Sequence, residues 1–185
     1  MLSPEVTVCI PSIPPRRGML ARAIESVLSQ TVPAAALSVA VDLGRQGAAM
    51  TRQQALDAVS TEWTAFLDDD DELLPQHLER LLACAEQTGA DYVYPWFDVV
   101  GGTDPFPQHE GRPFDPARPV ATTITVLVRT ELAKRVGFSN SGPWGEDHQF
   151  TLGCIQAGAR IVHLPERTWR WHHHSKNTSG CPDRW

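Results

Sequence analysis

Residues 63–72 read Trp-Thr-Ala-Phe-Leu-Asp-Asp-Asp-Asp-Glu, an uncharged, β-prone run that stops at five consecutive carboxylates. A short apolar run without alternation fits a strand buried on both faces. Pro75 follows, suited to a first helical turn, and Leu78, Leu81, Leu82 and Ala85 form the apolar stripe of a helix. The same order occurs twice upstream. Residues 6–10 are a β-branched strand ended by Pro11; residues 18–30 then place Leu20, Ile24, Val27 and Leu28 on one helix face, and Pro33 stops that helix. Residues 37–41 form a second strand ending at Asp42, Gly44 and Gly47 mark a loop, and residues 51–59 read as a helix capped by Thr51.

Three strand–helix units with short connections predict an α/β fold with a mainly parallel central sheet flanked by helices. Such sheets bind ligands beyond the carboxyl ends of their strands. Here those ends are Pro11-Ser12, Asp42 and the run from Asp68 to Asp71, so polar groups converge on one rim. Downstream, residues 91–97 and 124–129 read as strands and Thr130 starts a short helix. Residues 145–158 form a helix, and residues 160–164 and 168–172 two further strands. Between them, residues 98–120 are rich in Pro and Gly, a loop long enough to be functional or mobile.

The chain has 185 residues, enough for one domain. With 42% apolar and 21% charged residues it has a globular balance, which excludes a disordered or collagenous chain. The net charge of −6 argues against a broad nucleic-acid-binding surface. No apolar run approaches the roughly 18 residues of a membrane span, and residues 1–5 show no secretory pattern. Cys9, Cys84, Cys154 and Cys181 have no metal-type spacing. A cytoplasmic protein with reduced thiols is expected, in which the Asn177-Thr178-Ser179 sequon has no role.

Three clusters carry chemistry. The acidic run is either a solvated turn with one Asp capping the next helix, or a site for a hard divalent cation that relieves the repulsion. Oxygen ligands suit Mn²⁺ or Mg²⁺. Glu146-Asp147 opens a helix, where acids pair with the helix dipole; beside Trp144, a desolvated carboxylate there would instead serve as a general base. In 169–174, Trp-Arg-Trp-His-His-His, an extended chain puts Arg170, His172 and His174 on one face and the tryptophans on the other. That face is either plain surface or a source of imidazole ligands.

Taken in order, these segments resemble glycosyltransferase family 2, enzymes of the GT-A (Rossmann-like) fold. Residues 6–31 look like the family's opening strand, nucleotide loop and first helix. Thr51-Arg52-Gln53 stands where the family has Ala-Arg-Asn, and residues 66–75 look like its DXD signature. Residues 145–165 are similar to its Glu-Asp motif with the following strand, and residues 169–174 to its Tyr-Arg-x-His ending. Asp42-Leu43-Gly44-Arg45 departs from the usual Asp-Asp-Gly-Ser.

The resemblance implies a metal-dependent, inverting transfer from a nucleotide-diphosphate sugar to an unidentified acceptor. It assigns Pro11, Ser12, Arg16, Asp42, Arg52, Asp68 and Asp69 to the nucleotide sugar. Asp70 would hold Mn²⁺ or Mg²⁺ with His172 or His174, and Asp147 would be the base with Glu146 beside it. A single domain over 1–185 is expected, with 1–97 binding the donor and 98–185 carrying acceptor and base. Alternatives are a fold relative that binds without turnover, a nucleotidyltransferase, or a phosphoryl hydrolase. An aspartate-nucleophile phosphatase would need Thr or Val where Glu72 stands.

Overall fold

The computed structural model describes residues 5–119, 123–139, 145–174 and 177. Among the described residues, seven strands form one sheet in the order β2-β1-β3-β6-β5-β7-β4. They are β1 (Val6–Ser12), β2 (Ala36–Val41), β3 (Trp63–Phe66), β4 (Glu72–Leu73), β5 (Tyr92–Val100), β6 (Leu127–Arg129) and β7 (Ile161–His172). The helices are α1 (Arg17–Leu28), entered through a 3-10 turn at Pro14–Arg16, then α2 (Ala48–Asp57), α3 (His77–Thr88), α4 (Thr130–Val136) and α5 (Glu146–Gln156).

β1 runs parallel to β2 and β3, and β5 to β7; β6 is antiparallel to both β3 and β5, and β4 is antiparallel to β7. Among these strands β6 and β4 are therefore reversed. The carboxyl ends of β1, β2, β3, β5 and β7 share one rim, and α5, which precedes β7, starts there too. Val6, Val8 and Ile10 of β1 pack with Ala23, Val27, Leu78 and Leu81 of α1 and α3. On the opposite face Cys9 and Phe66 pack with Leu56, Leu132 and Phe150 of α2, α4 and α5. The period-2 alternation of a strand separates these two cores. Phe66, Phe138 and Phe150 form an aromatic centre in the second, with Phe138 and Phe150 stacked at 4.4 Å.

Several boundaries differ from expectation. α2 begins at Ala48 behind Gly47, whose φ of 92° favours glycine. Thr51 thus lies inside the first turn, its hydroxyl donating back to the Gly47 carbonyl at 2.8 Å. The two expected strands around Pro165 are one strand. Its pairing jumps from Tyr94↔His163 to Trp96↔Arg167, and this irregularity carries Pro165 past the ladder. β4, inside the acidic neighbourhood, has no strand signal in the sequence pattern. The described part of the Pro-Gly loop is anchored to the sheet. Asp104 accepts the Trp96 indole N–H at 2.9 Å, His163 Nε2 accepts the Gly111 N–H at 3.2 Å, and Arg167 grips Glu110 through two 2.8 Å bonds. No helix among the described residues is long and apolar enough to cross a membrane.

Candidate active site

β3 delivers the acidic run into the protein rather than into water. Leu67 is fully buried, its N–H bonded to the Cys9 carbonyl at 3.0 Å, and the chain turns with the Asp71 N–H on the Asp68 carbonyl at 3.1 Å. Asp69, Asp70 and Asp71 keep 2%, 5% and 2% of their surface, which removes the solvated-turn alternative.

The acids meet partners from the 3-10 turn, α1, β1 and β7. Asp69 accepts from the Ser12 hydroxyl at 2.7 Å and from Arg16 at 3.0 Å. Arg16 also pairs with Asp70 Oδ2 at 2.9 Å. That same oxygen lies 3.2 Å from His174 Nε2 and accepts from the Asn177 amide at 3.3 Å. Asp71 accepts the His172 N–H at 2.9 Å, and Arg22 donates to the Asp70 carbonyl. Glu72 pairs with Arg170 at 3.1 Å and with His172 Nε2 at 3.2 Å. The protein's own cations therefore relieve much of the repulsion that the sequence left to a metal.

They do not relieve all of it. Burial, then Asp68, pushes the Asp70 carboxyl up to about 7 against the pull of Arg16. Burial, Asp68 and Asp70 hold Asp71 well above the usual carboxylate range. Oxygens of Asp68, Asp70 and Asp71 lie within 4.8 Å of one another. A hard divalent cation fits this donor set, because it would supply the missing positive charge to oxygen ligands. Burial first, and then Arg16 and Arg22, lower the His174 pKa, which favours the neutral imidazole a metal ligand needs. His174 thus faces Asp70, whereas His172 faces Glu72. Asp71, Arg22 and Asn177 are not among the site residues expected from sequence: Asp71 is one acid among five, and the other two reach the turn only through the fold.

The base-side pair stands at the start of α5. Asp147 folds back to accept the His148 N–H at 2.8 Å, and a Cβ on Gly145 would come within 2.8 Å of its carboxylate, so glycine there leaves it room. Burial raises the Asp147 pKa; Arg52 opposes this and Glu146 adds to it. Arg52 of α2 donates to Asp68 at 2.6 Å and to Glu146 at 2.5 Å, which joins the acidic turn to the base-side helix. Asp42 is turned inward. Its carboxylate accepts the N–H groups of Gly44, Gln46 and Gly47 at 2.9–3.1 Å and shapes the loop into α2. Pro11 is buried at the end of β1. Trp96 and Trp169 belong to the core, and Trp144 lies outside the described residues.

Residues 41–134, about half of the chain, match the description Glycosyl transferase family 2. The chain belongs to glycosyl transferase family 2. No curated protein matches the sequence. Among solved structures, this family 2 chain is similar to Staphylococcus aureus TarS 1-349 in complex with UDP-GlcNAc. The TM-score is 0.82 at 17% identity, covering 96% of this chain and 61% of that one. TarS 1-349 in complex with UDP gives 0.77 at 17% identity, covering 93% and 61%. The longer S. aureus TarS gives 0.77 at 17%, covering 93% and 37%. The likeness establishes the GT-A fold. The chain spans about three-fifths of the length of TarS 1-349.

Proposed function

We propose that this protein transfers a sugar, with inversion, from a nucleotide-diphosphate sugar to an acceptor hydroxyl and requires a divalent metal. The observation that supports this best is Arg52's bridge, which brings the three-carboxylate cluster and the Glu146-Asp147 pair to one rim. The TarS complexes with UDP and UDP-GlcNAc favour a uridine diphosphate donor. In this reading residues 1–97 bind the donor, drawn from a cytoplasmic pool, and residues 98–185 supply acceptor contacts and base.

Asp68, Asp70 and Asp71, with His174 against Asp70, would hold Mn²⁺ or Mg²⁺. Such a cation supplies charge neutralisation at the leaving diphosphate. Ser12 and Arg16 hold the Asp69 end of the turn in place. The Asp147 carboxylate takes the acceptor's hydroxyl proton as that oxygen bonds to the anomeric carbon. The bond from anomeric carbon to phosphate oxygen breaks, and its electron pair leaves with the nucleoside diphosphate. Attack from the face opposite the departing group inverts the anomeric centre. Burial raises the Asp147 pKa, which makes its carboxylate a stronger base than an exposed aspartate.

A second reading, donor binding without turnover, draws on the cations already placed at Asp69 and Asp70. Melting curves with UDP, GDP or CDP, each with and without Mn²⁺, test the first step. UDP should stabilise only when the metal is present, and unchanged curves throughout would refute both readings. Asp147→Asn then separates the two. It should lower UDP release from UDP-GlcNAc by about 10²- to 10⁴-fold and keep the stabilisation, whereas a binding protein releases no UDP even as wild type.

A further inference from the structure

We infer that Arg52 is a positioning residue that ties the metal side of the site to the base side; this rests on the function proposed above. The resemblance assigned Arg52 to the nucleotide sugar, but its two terminal nitrogens are committed to protein carboxylates. Nη2 reaches Asp68 at 2.6 Å and Nη1 reaches Glu146 at 2.5 Å, with 6% of the side chain exposed. Its partners lie 16 and 94 residues away in sequence, one at the end of β3 and one at the start of α5. Burial works against the charge, but Asp68 and Glu146 outweigh it and raise the Arg52 pKa, so the guanidinium stays charged. A planar fork can fix two carboxylates relative to each other, whereas an ammonium is a single point of charge. Arg52 therefore does two separable things. It sets where the first turn of α5, and with it Asp147, stands relative to Asp68. It also places a positive charge directly on one carboxylate of the candidate cation cluster, where it opposes metal binding.

These effects predict opposite changes in two measurements. Arg52→Gln removes both the fork and the charge. Affinity for Mn²⁺ alone, followed by the paramagnetic signal of the free ion, should rise on the order of tenfold for a unit charge removed a few ångströms from the ion. UDP release from UDP-GlcNAc should fall on the order of 10²-fold, the cost of displacing a reacting group by about an ångström. Loss of fold alone would lower both, and a direct phosphate contact would weaken UDP binding without tightening Mn²⁺. Arg52→Lys keeps the charge and loses the fork, so Mn²⁺ affinity should match wild type while turnover still falls. It decides the matter if Arg52→Gln does not fold. Wild-type turnover in Arg52→Lys, or unchanged or weaker Mn²⁺ affinity in folded Arg52→Gln, overturns the inference. Wild-type protein that neither binds Mn²⁺ nor releases UDP overturns the proposed function, and the inference with it.

Discussion

Acid should loosen this fold through one buried imidazole. His77 opens α3 and is fully buried; its Nδ1 lies 2.8 Å from the Thr168 hydroxyl of β7, and Nε2 meets no hydrogen-bond partner among the described residues. Burial depresses its pKa from 6.5 to about 3. The folded protein therefore keeps His77 neutral where the unfolded chain protonates it. Stability tied to this residue is complete above pH 6.5 and is lost as pH falls through the window from 6.5 to about 3. The slope is about 1.4 kcal/mol per pH unit, so at pH 5 the loss is about 2 kcal/mol. For a chain of this size that lowers Tm by about 4–8 °C. Other groups titrate as well, so the quantity to measure is a difference. Urea unfolding of wild type and His77→Asn, at pH 7.5, 6 and 5, should give free-energy curves that converge on acidification, because asparagine has no proton to take up. Curves that stay parallel down to pH 5 would refute the argument.

Four further outcomes follow from the packing and the charges. Under the proposed mechanism, turnover should rise with pH through the elevated pKa of Asp147, since a base there would act ionised. Glu146→Gln should move that limb to lower pH by removing a neighbouring negative charge, seen in kcat/KM profiles. Gly153→Ala would set a Cβ 2.5 Å from Val136 Cγ1 between α5 and α4. Urea unfolding should show a cost of about 1–3 kcal/mol, much of it recovered in the double variant with Val136→Ala. Phe150→Ala, at the stacked centre of the second core, should cost about 3–5 kcal/mol in the same assay.

The fold was largely legible because local patterns decided it. The uninterrupted run at 63–67 and the stripes at 20–28 and 78–85 each specify one element, and parallel crossovers then leave little choice of layering. Two things escaped because their cause is tertiary. Residues 160–172 looked like two strands, since proline interrupts a local pattern; pairing with β5 through a bulge carries the chain past it. At the site, sequence located the acids but misjudged their surroundings. Arg16, Arg52 and Arg170 neutralise a run that looked uncompensated, and they reach it from the 3-10 turn, α2 and β7. Asp42 stands at the ligand rim by sequence, and its carboxylate is wrapped by three backbone amides of its own loop. No spacing rule reports which way a loop carboxylate turns.

The ladder between β4 and β7 has a consequence for synthesis. Glu72 and Arg170 face each other across it but are 98 residues apart in the chain. On the ribosome, β1, β2 and β3 can associate soon after they leave the exit tunnel, whereas β4 has to wait for β7 to emerge. Through that interval the nascent acidic turn lacks its frame, so slowing translation beyond residue 73 would prolong exposure of Leu67 and Leu73 to chaperones and proteases.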